Sequence, residues 1–216
     1  MALNTELFGG AIKVNLPQGF IDASLFRQVP DTQEVFVHQT VDDSMMFDLL
    51  ERLDSPTDFH ALKEHLDEIS RINDTDPNSQ LIQLYTETHP LRKKSISSKA
   101  SPAYITVAIE PAKKWGRTTK LNNEPESAND NVLEEPILVL ILVLIRIKDV
   151  ETDFIVSYNT PITKISELKA LQEIFDQNED YSTSSLEKLP SRVQEGVKNI
   201  KEVLNSLEVE DWTLFA

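Results

Sequence analysis

Cysteine is absent from this chain of 216 residues. The absence excludes disulfide bonds, thiolate zinc sites and a thiol nucleophile, and it fits a reducing compartment. Glycine is also scarce, with five residues in all, and no stretch matches the phosphate-binding motifs G-x-x-x-x-G-K or G-x-G-x-x-G. We therefore expect no cofactor, and in particular no nucleotide held by a Gly-rich loop.

Positive charge is in short supply. The 21 Lys and Arg residues are outnumbered by 36 Asp and Glu residues, which gives a formal net charge of −15. Such a charge repels nucleic acid, so we expect no DNA or RNA partner. It would attract a basic protein partner, although an acidic surface also serves solubility alone.

Long hydrophobic runs are missing as well. The most apolar stretch, residues 136–145, is shorter than the ~20 residues that a membrane helix needs. The N-terminus shows no basic segment followed by an apolar one, so we expect neither a signal peptide nor membrane association. The β-branched residues of the apolar stretch predict a central strand that is covered on both faces.

Apolar periodicity and turn residues predict one α+β domain, in which helices pack on an antiparallel sheet. We expect strands at residues 11–16, 34–38, 81–86, 104–109, 137–147 and 152–159, and helices at residues 56–72, 165–175 and 185–207. The strands 137–147 and 152–159 form a hairpin, and Pro161 ends the second one. Residues 44–53 fit a helix face and a doubly covered strand equally well.

Local signals add detail to this prediction. Residues 21–24 suit a short helical turn that Asp22 or Ser24 caps. Ser55 suits the cap of the helix 56–72, whose predicted apolar stripe consists of Phe59, Leu62, Leu66 and Ile69. Two polar loops are expected near residues 89–102 and 117–136, the second of them mobile. The apolar C-terminal residues are expected to pack on the domain.

Catalytic motifs are not evident. There is no G-x-S-x-G nucleophile elbow, and the Phe8-Gly9-Gly10 stretch is expected to open a strand rather than a phosphate-binding helix. His60 and His65 are five residues apart on the predicted helix, so they diverge, and we expect both to be solvated and no metal to be bound. Asp42 and Asp43 are expected in a solvated turn. These observations favour binding over catalysis, so we expect a protein that is not an enzyme.

Five short motifs near the N-terminus resemble those of a known family. They are Phe8-Gly9-Gly10-Ala11, Pro17-Gln18-Gly19, Ile21-Asp22-Ala23-Ser24, Arg27-Gln28-Val29-Pro30-Asp31 and Gln33-Glu34-Val35. In this order and spacing they resemble the Ran guanine nucleotide release factor family, the Mog proteins of nuclear transport. Shorter matches later in the chain, among them the stretch "TDFIVSYNTPIT" that begins at Thr152, are similar to the fungal members.

The resemblance implies a fold. It implies a single Mog/PsbP-like Ran-binding domain over residues 1–216, built as a three-layer α/β/α sandwich. The central sheet is curved, mainly antiparallel and made of about six strands. The family has a strand at residues 44–53, which would settle the ambiguous segment.

The resemblance also implies a function. The family binds the small GTPase Ran, in GTP-bound and nucleotide-depleted forms, promotes release of guanine nucleotide (GTP) and supports nuclear protein import. We accordingly expect a monomeric regulator in the nucleus, and also in the cytoplasm. The alternatives are a Ran-binding adaptor without release activity, a PsbP-type photosynthetic role and a hydrolase with an unrecognised carboxylate site.

The family's Ran-binding acidic positions match five carboxylates here: Asp22, Asp31, Glu34, Asp48 and Glu51. Two cations are weaker candidates for the same surface: Arg27 and Lys114. Asp48 and Glu51 are three residues apart, so on a regular strand they would point to opposite faces. Without the resemblance, Asp22 and Asp31 would be interpreted as turn caps only.

Overall fold

The structure is a computed structural model that describes residues 3–73, 81–109, 132–177 and 186–215. The strands are β1 Leu3–Leu7, β2 Ile12–Leu16, β3 Phe20–Asp22, β4 Gln33–His38, β5 Ser44–Glu51, β6 Ile82–His89, β7 Ala103–Ile109, β8 Val132–Ile147, β9 Thr152–Lys164 and β10 Glu208–Val209. The α-helices are α1 Asp58–Asn73, α2 Lys94–Ser97, α3 Ile165–Gln177 and α4 Ser191–Ser206. The predicted loop at 117–136 lies outside the described residues except for its last five, which belong to β8.

Seven described strands form one antiparallel sheet in the order β3-β4-β5-β9-β8-β7-β6. A separate sheet has the order β1-β2-β10. The expected count of about six strands is therefore wrong. The α+β class is confirmed, and the ambiguous segment 44–53 is the strand β5. The sequence predicts β2 of the separate sheet but neither β1 nor β10. β1 is mostly polar and exposed, with Leu7 as its buried residue, so its sequence lacks the apolar alternation of a strand.

The hairpin of β8 and β9 forms the centre of the large sheet, as predicted. Most of the residues along the apolar run of β8 are buried. The prediction that Pro161 ends β9 is wrong, because the strand continues to Lys164 and Pro161 pairs with Leu138. β5 reaches only as far as Asn159, so Pro161 lies where β9 has a single described neighbour, a position that tolerates the missing N–H.

Helices cover both faces of the large sheet. On one face, α1 packs its buried residues Leu62 and Leu66 against β7, β8 and β9. On the other face, α3, α4 and the separate sheet share the larger hydrophobic core. This arrangement has three layers, whereas the likeness to PsbP stays a prediction.

The predicted ends of the helices need correction. Thr57, and not Ser55, caps α1, because the Thr57 side chain accepts a hydrogen bond from His60 N–H at 3.1 Å. Phe59 does not join the buried stripe and is 45% exposed. The last long helix begins at Ser191, directly after Pro190, rather than at residue 185, since proline suits the start of a helix and not its interior.

The remaining segments are more ordered than a loop prediction suggests. Helix α2 lies within the expected polar loop at 89–102. The C-terminal Trp212, Leu214 and Phe215 are partly buried against the larger core, which confirms the prediction for this end.

Two glycines offer a matched test of this fold. Gly9 and Gly19 both have positive φ, at 66° and 97°. A Cβ at Gly9 would meet nothing within 4 Å, whereas one at Gly19 would collide with the His38 ring, 2.9 Å from its Cε1. We expect Gly9→Ala to cost about 1 kcal/mol through its backbone conformation and Gly19→Ala about 3 kcal/mol, because overpacking adds to the backbone cost. Urea denaturation measures both, and equal losses would contradict the predicted collision.

Candidate partner-binding surface

The strand order gathers the five predicted carboxylates at one end of β3, β4 and β5. Asp22 is the last residue of β3, Glu34 the second of β4, and Asp48 lies opposite Gln33 across β4 and β5. Asp31 precedes β4, and Glu51 ends β5. We call these five residues the acidic end. The prediction that they bind Ran is not tested by their proximity, but the fold does place them together.

Asp31 lies on a tight turn that leads into β4. The carbonyl of Pro30 accepts a hydrogen bond from Gln33 N–H at 2.9 Å, which closes the turn around Asp31 and Thr32. The carbonyl of Thr32 in turn accepts one from Leu49 N–H at 3.0 Å. The turn is thus fixed beside β5, and Asp31 is exposed on it.

Asp22 and Glu34 both hold backbone groups. Asp22 accepts a hydrogen bond from Ser24 N–H at 2.7 Å, which confirms the predicted cap. Glu34 accepts one from Phe8 N–H at 2.6 Å. Burial raises the pKa of Glu34 and the nearby Asp22 charge adds to the increase, while the hydrogen bond from Phe8 opposes it. Both carboxylates are half-exposed, so they remain available to a partner as well.

The Phe8–Gly10 segment is a short 3-10 turn between β1 and β2, and not the opening of a strand as predicted. Phe8, Gly9 and Gly10 all have positive φ. A conformation that is rare for a bulky residue such as phenylalanine needs a compensating contact. The hydrogen bond from Phe8 N–H to Glu34 supplies one.

Asp48 and Glu51 point to opposite faces of the sheet. The pairing of β5 with β9 runs without a register shift from Ser44 to Glu51, so the alternation of side chains is unbroken. Asp48 is only 8% exposed, and burial raises its pKa while a hydrogen bond with the Gln33 side chain opposes the increase. Glu51 is exposed. Asp31 and Glu51 are therefore the most accessible carboxylates of the acidic end.

Of the two predicted cations, Arg27 lies within the described residues and Lys114 does not. Arg27 is exposed two residues after the 3-10 turn at Ala23–Leu25, and its N–H donates to the Ala23 carbonyl at 3.0 Å. Lys114 lies outside the described residues, so the structure does not place it relative to the acidic end.

Comparison with known proteins identifies the family. The sequence model described as Ran-interacting Mog1 protein matches residues 5–161, which is more than half of the chain. The chain belongs to the Mog1 family. The match includes all seven predicted site residues.

Individual relatives agree with this result. The nuclear import proteins MOG1 of Saccharomyces cerevisiae and mog1 of Schizosaccharomyces pombe are 29% and 28% identical to the chain; each alignment covers 98% of the chain, and 84% and 99% of those proteins. The Ran guanine nucleotide release factor of Bos taurus is 28% identical over 73% of the chain and 75% of its own length. The crystal structure of the Saccharomyces cerevisiae Ran-binding protein Mog1p is 26% identical and superposes with a TM-score of 0.71 over all of both chains.

A buried ion network lies beside the last residues of β5 in this Mog1-family chain, and sequence reasoning missed it. Arg146 Nε lies 3.0 Å from Asp153 Oδ1, and His65 Nε2 lies 2.9 Å from Asp153 Oδ2. Leu53 N–H donates to Asp153 at 3.1 Å, and the Arg146 guanidinium donates to the Leu53 carbonyl. Asp58, at the start of α1, lies 3.4 Å from Arg146. The expectation that His65 is solvated is wrong, because its ring is buried and bonded to the buried Asp153 carboxylate.

A second polar cluster lies at the opposite end of β4 and β5. Asp43 accepts hydrogen bonds from the Tyr158 hydroxyl at 2.8 Å and from Arg192 at 2.6 Å. The expectation that Asp43 is solvated is wrong, while Asp42 beside it is exposed as predicted. Burial, followed by the Asp43 contact, raises the pKa of Tyr158. The cluster ties α4 to the sheet through Arg192.

The described residues contain neither a metal-binding cluster nor a membrane-spanning helix. Within residues 3–73, 81–109, 132–177 and 186–215, no group of three or more His, Asp or Glu side chains is arranged to hold a metal ion. None of the helices in that part of the chain is long and apolar enough to cross a membrane.

The network makes stability depend on pH. Burial alone would raise the pKa of Asp153, but the hydrogen bonds from His65, Leu53 and Arg146, together with the Arg146 charge, outweigh burial and hold the pKa below its usual range. A depressed carboxyl pKa contributes stability that is present above the unfolded pKa of about 3.9 and is lost as the pH falls through the folded pKa.

Asp153→Asn tests this assignment. The variant leaves Arg146 buried without its nearest carboxylate, so we expect a loss of about 3 kcal/mol in the free energy of unfolding at pH 7 and a weaker loss of stability in acid. Asp149→Asn, an exposed change in the turn of the same hairpin, should stay within about 0.5 kcal/mol of the parent. Denaturation between pH 2 and pH 7 measures both. Equal stability of the two variants would show that the network contributes little.

Proposed function

We propose that this Mog1-family protein binds the small GTPase Ran through its acidic end and promotes release of guanine nucleotide, GTP in particular, in support of nuclear protein import. It acts as a regulator in the nucleus and cytoplasm and not as an enzyme. The observation that carries the proposal is the gathering of Asp22, Asp31, Glu34, Asp48 and Glu51 at one end of the sheet. The family's description as Ran-interacting supports the choice of partner.

Charge is the basis of recognition in this proposal. Exposed carboxylates such as Asp31 and Glu51 would pair with basic groups of Ran near its nucleotide pocket. A formal net charge of −15 over the chain adds long-range attraction for a basic surface. Attraction of this kind mainly accelerates association and fixes the orientation of the partners, and it weakens as salt screens the charges.

Release requires a difference in affinity. A protein that binds nucleotide-depleted or loosened Ran better than closed, nucleotide-bound Ran shifts the equilibrium towards release. A protein that binds both states equally releases nothing, however tight the complex. The adaptor alternative differs from the proposal in this respect alone, so an affinity measured for one state of Ran does not separate them.

A release assay separates release factor from adaptor. Ran is loaded with a fluorescent guanine nucleotide, as GTP and GDP forms separately, and fluorescence is followed with and without this protein. We expect faster release, because the proposed complex favours loosened Ran. Since the proposal names GTP in particular, the acceleration should be larger for the GTP form than for the GDP form. An unchanged rate alongside a complex on gel filtration would leave the adaptor. Neither release nor a complex would overturn the proposal.

Charge reversal tests the surface. Asp31→Lys should weaken Ran binding about tenfold at low salt, mainly through slower association, because Asp31 is exposed on its turn and its side chain makes no hydrogen bond or ion pair with the other described residues. Asp42→Lys is the matched control, since it makes the same change in charge on the exposed turn at the other end of β4 and β5. Binding is measured at low and high salt by surface plasmon resonance. Equal losses of Ran affinity in the two variants would show that only the net charge of the protein matters. That result would reject the acidic end as the site.

A further inference from the structure

Two large apolar side chains are exposed beside the acidic end. Leu25 and Phe26 keep 77% and 60% of their surface exposed. The other large exposed apolar residues of the described ranges are isolated along the sequence, at positions 3, 41, 50, 59, 72 and 132. A single exposed apolar residue is ordinary on a protein surface, whereas apolar residues grouped within a polar surrounding mark interaction sites.

The backbone that presents this pair is held in place. Ala23, the first residue of the 3-10 turn, is fully buried. Its carbonyl accepts hydrogen bonds from Phe26 N–H at 3.1 Å and Arg27 N–H at 3.0 Å, and Asp22 caps the turn through Ser24. A turn fixed in this way loses little conformational freedom when a partner covers it.

Charges adjoin the pair on both sides. Asp22 precedes the turn and interacts electrostatically with Glu34, and Arg27 follows directly. An apolar centre bordered by charged groups is the usual composition of an interface whose binding energy is concentrated in a few residues. The pair follows Asp22 of the acidic end within four residues on one short turn, so a partner that contacts Asp22 would lie close to Leu25 and Phe26.

We propose that Leu25 and Phe26 are the apolar anchor of the Ran contact and occupy an apolar recess on Ran that basic side chains border. The inference rests on the proposed function, because the acidic end is what selects Ran as the occupant. It adds a division of roles: the carboxylates set the rate and salt dependence of association, and the apolar pair sets the lifetime of the complex.

The double variant Leu25→Ser/Phe26→Ser tests the anchor, with Ile72→Ser as control at a side chain that is 74% exposed on α1. We expect the double variant to lose at least about 30-fold in Ran affinity, mainly by faster dissociation and by a similar factor at low and high salt. Asp31→Lys, by contrast, should lose less affinity at high salt. Urea denaturation checks that all variants remain folded, and Ile72→Ser should bind as the parent does.

Photocrosslinking locates the contact without truncating the pair. Benzoylphenylalanine in place of Phe26 should crosslink to Ran, and the same group in place of Ile72 should not. If the parent protein binds Ran but the double variant binds equally well, or if both positions crosslink alike, the anchor is wrong and the proposed function stands. If the parent protein does not bind Ran at all, the anchor and the proposed function are both wrong.

Discussion

The ion pair of Arg146 and Asp153 is the interaction that fixes the backbone directly after the last residue of the acidic end, Glu51. Both side chains are fully buried, on neighbouring strands of the central hairpin. A buried guanidinium needs both a counter-charge and hydrogen-bond acceptors, and its further contacts reach the Leu53 carbonyl and Asp58. One charged pair thereby joins the hairpin, the segment that leaves β5 and the start of α1.

This arrangement restrains the surface that the acidic residues occupy. Glu51 is separated from Leu53 by a single residue, and Leu53 is held on both its N–H and its carbonyl. Asp31 lies on a turn that is bonded to Leu49 of the same strand β5. The exposed carboxylates therefore project from backbone that is already ordered, which lowers the entropy lost on binding a partner. Rigidity here comes from the interior, while the charges remain accessible.

Sequence patterns predicted the parts of the fold in which local and global preferences agree. The hairpin of β8 and β9 follows from two apolar runs around a polar turn, and the cap at Asp22 follows from its side-chain chemistry. Errors arose where a distant contact decides the outcome. Pro161 remains in a strand because β5 stops short of it, and His65 is buried because Asp153 lies opposite. The charge of Arg146 within an apolar run was the available signal, since the predicted hairpin places Asp153 across from it.

The candidate site was less accessible to such reasoning, because no motif of spacing or chemistry identifies it without the family resemblance. The structure then separates residues that the resemblance treats alike. Asp48 is almost fully buried, and Glu34 holds the Phe8 turn through a hydrogen bond. A substitution at Glu34 that weakens binding would therefore combine a lost charge with a loosened turn, and Glu34→Gln, which keeps an acceptor oxygen, separates the two. Among the described residues, no side-chain hydrogen bond or ion pair involves Asp31 or Glu51, so substitutions at these two positions test the proposed contact without loosening a turn.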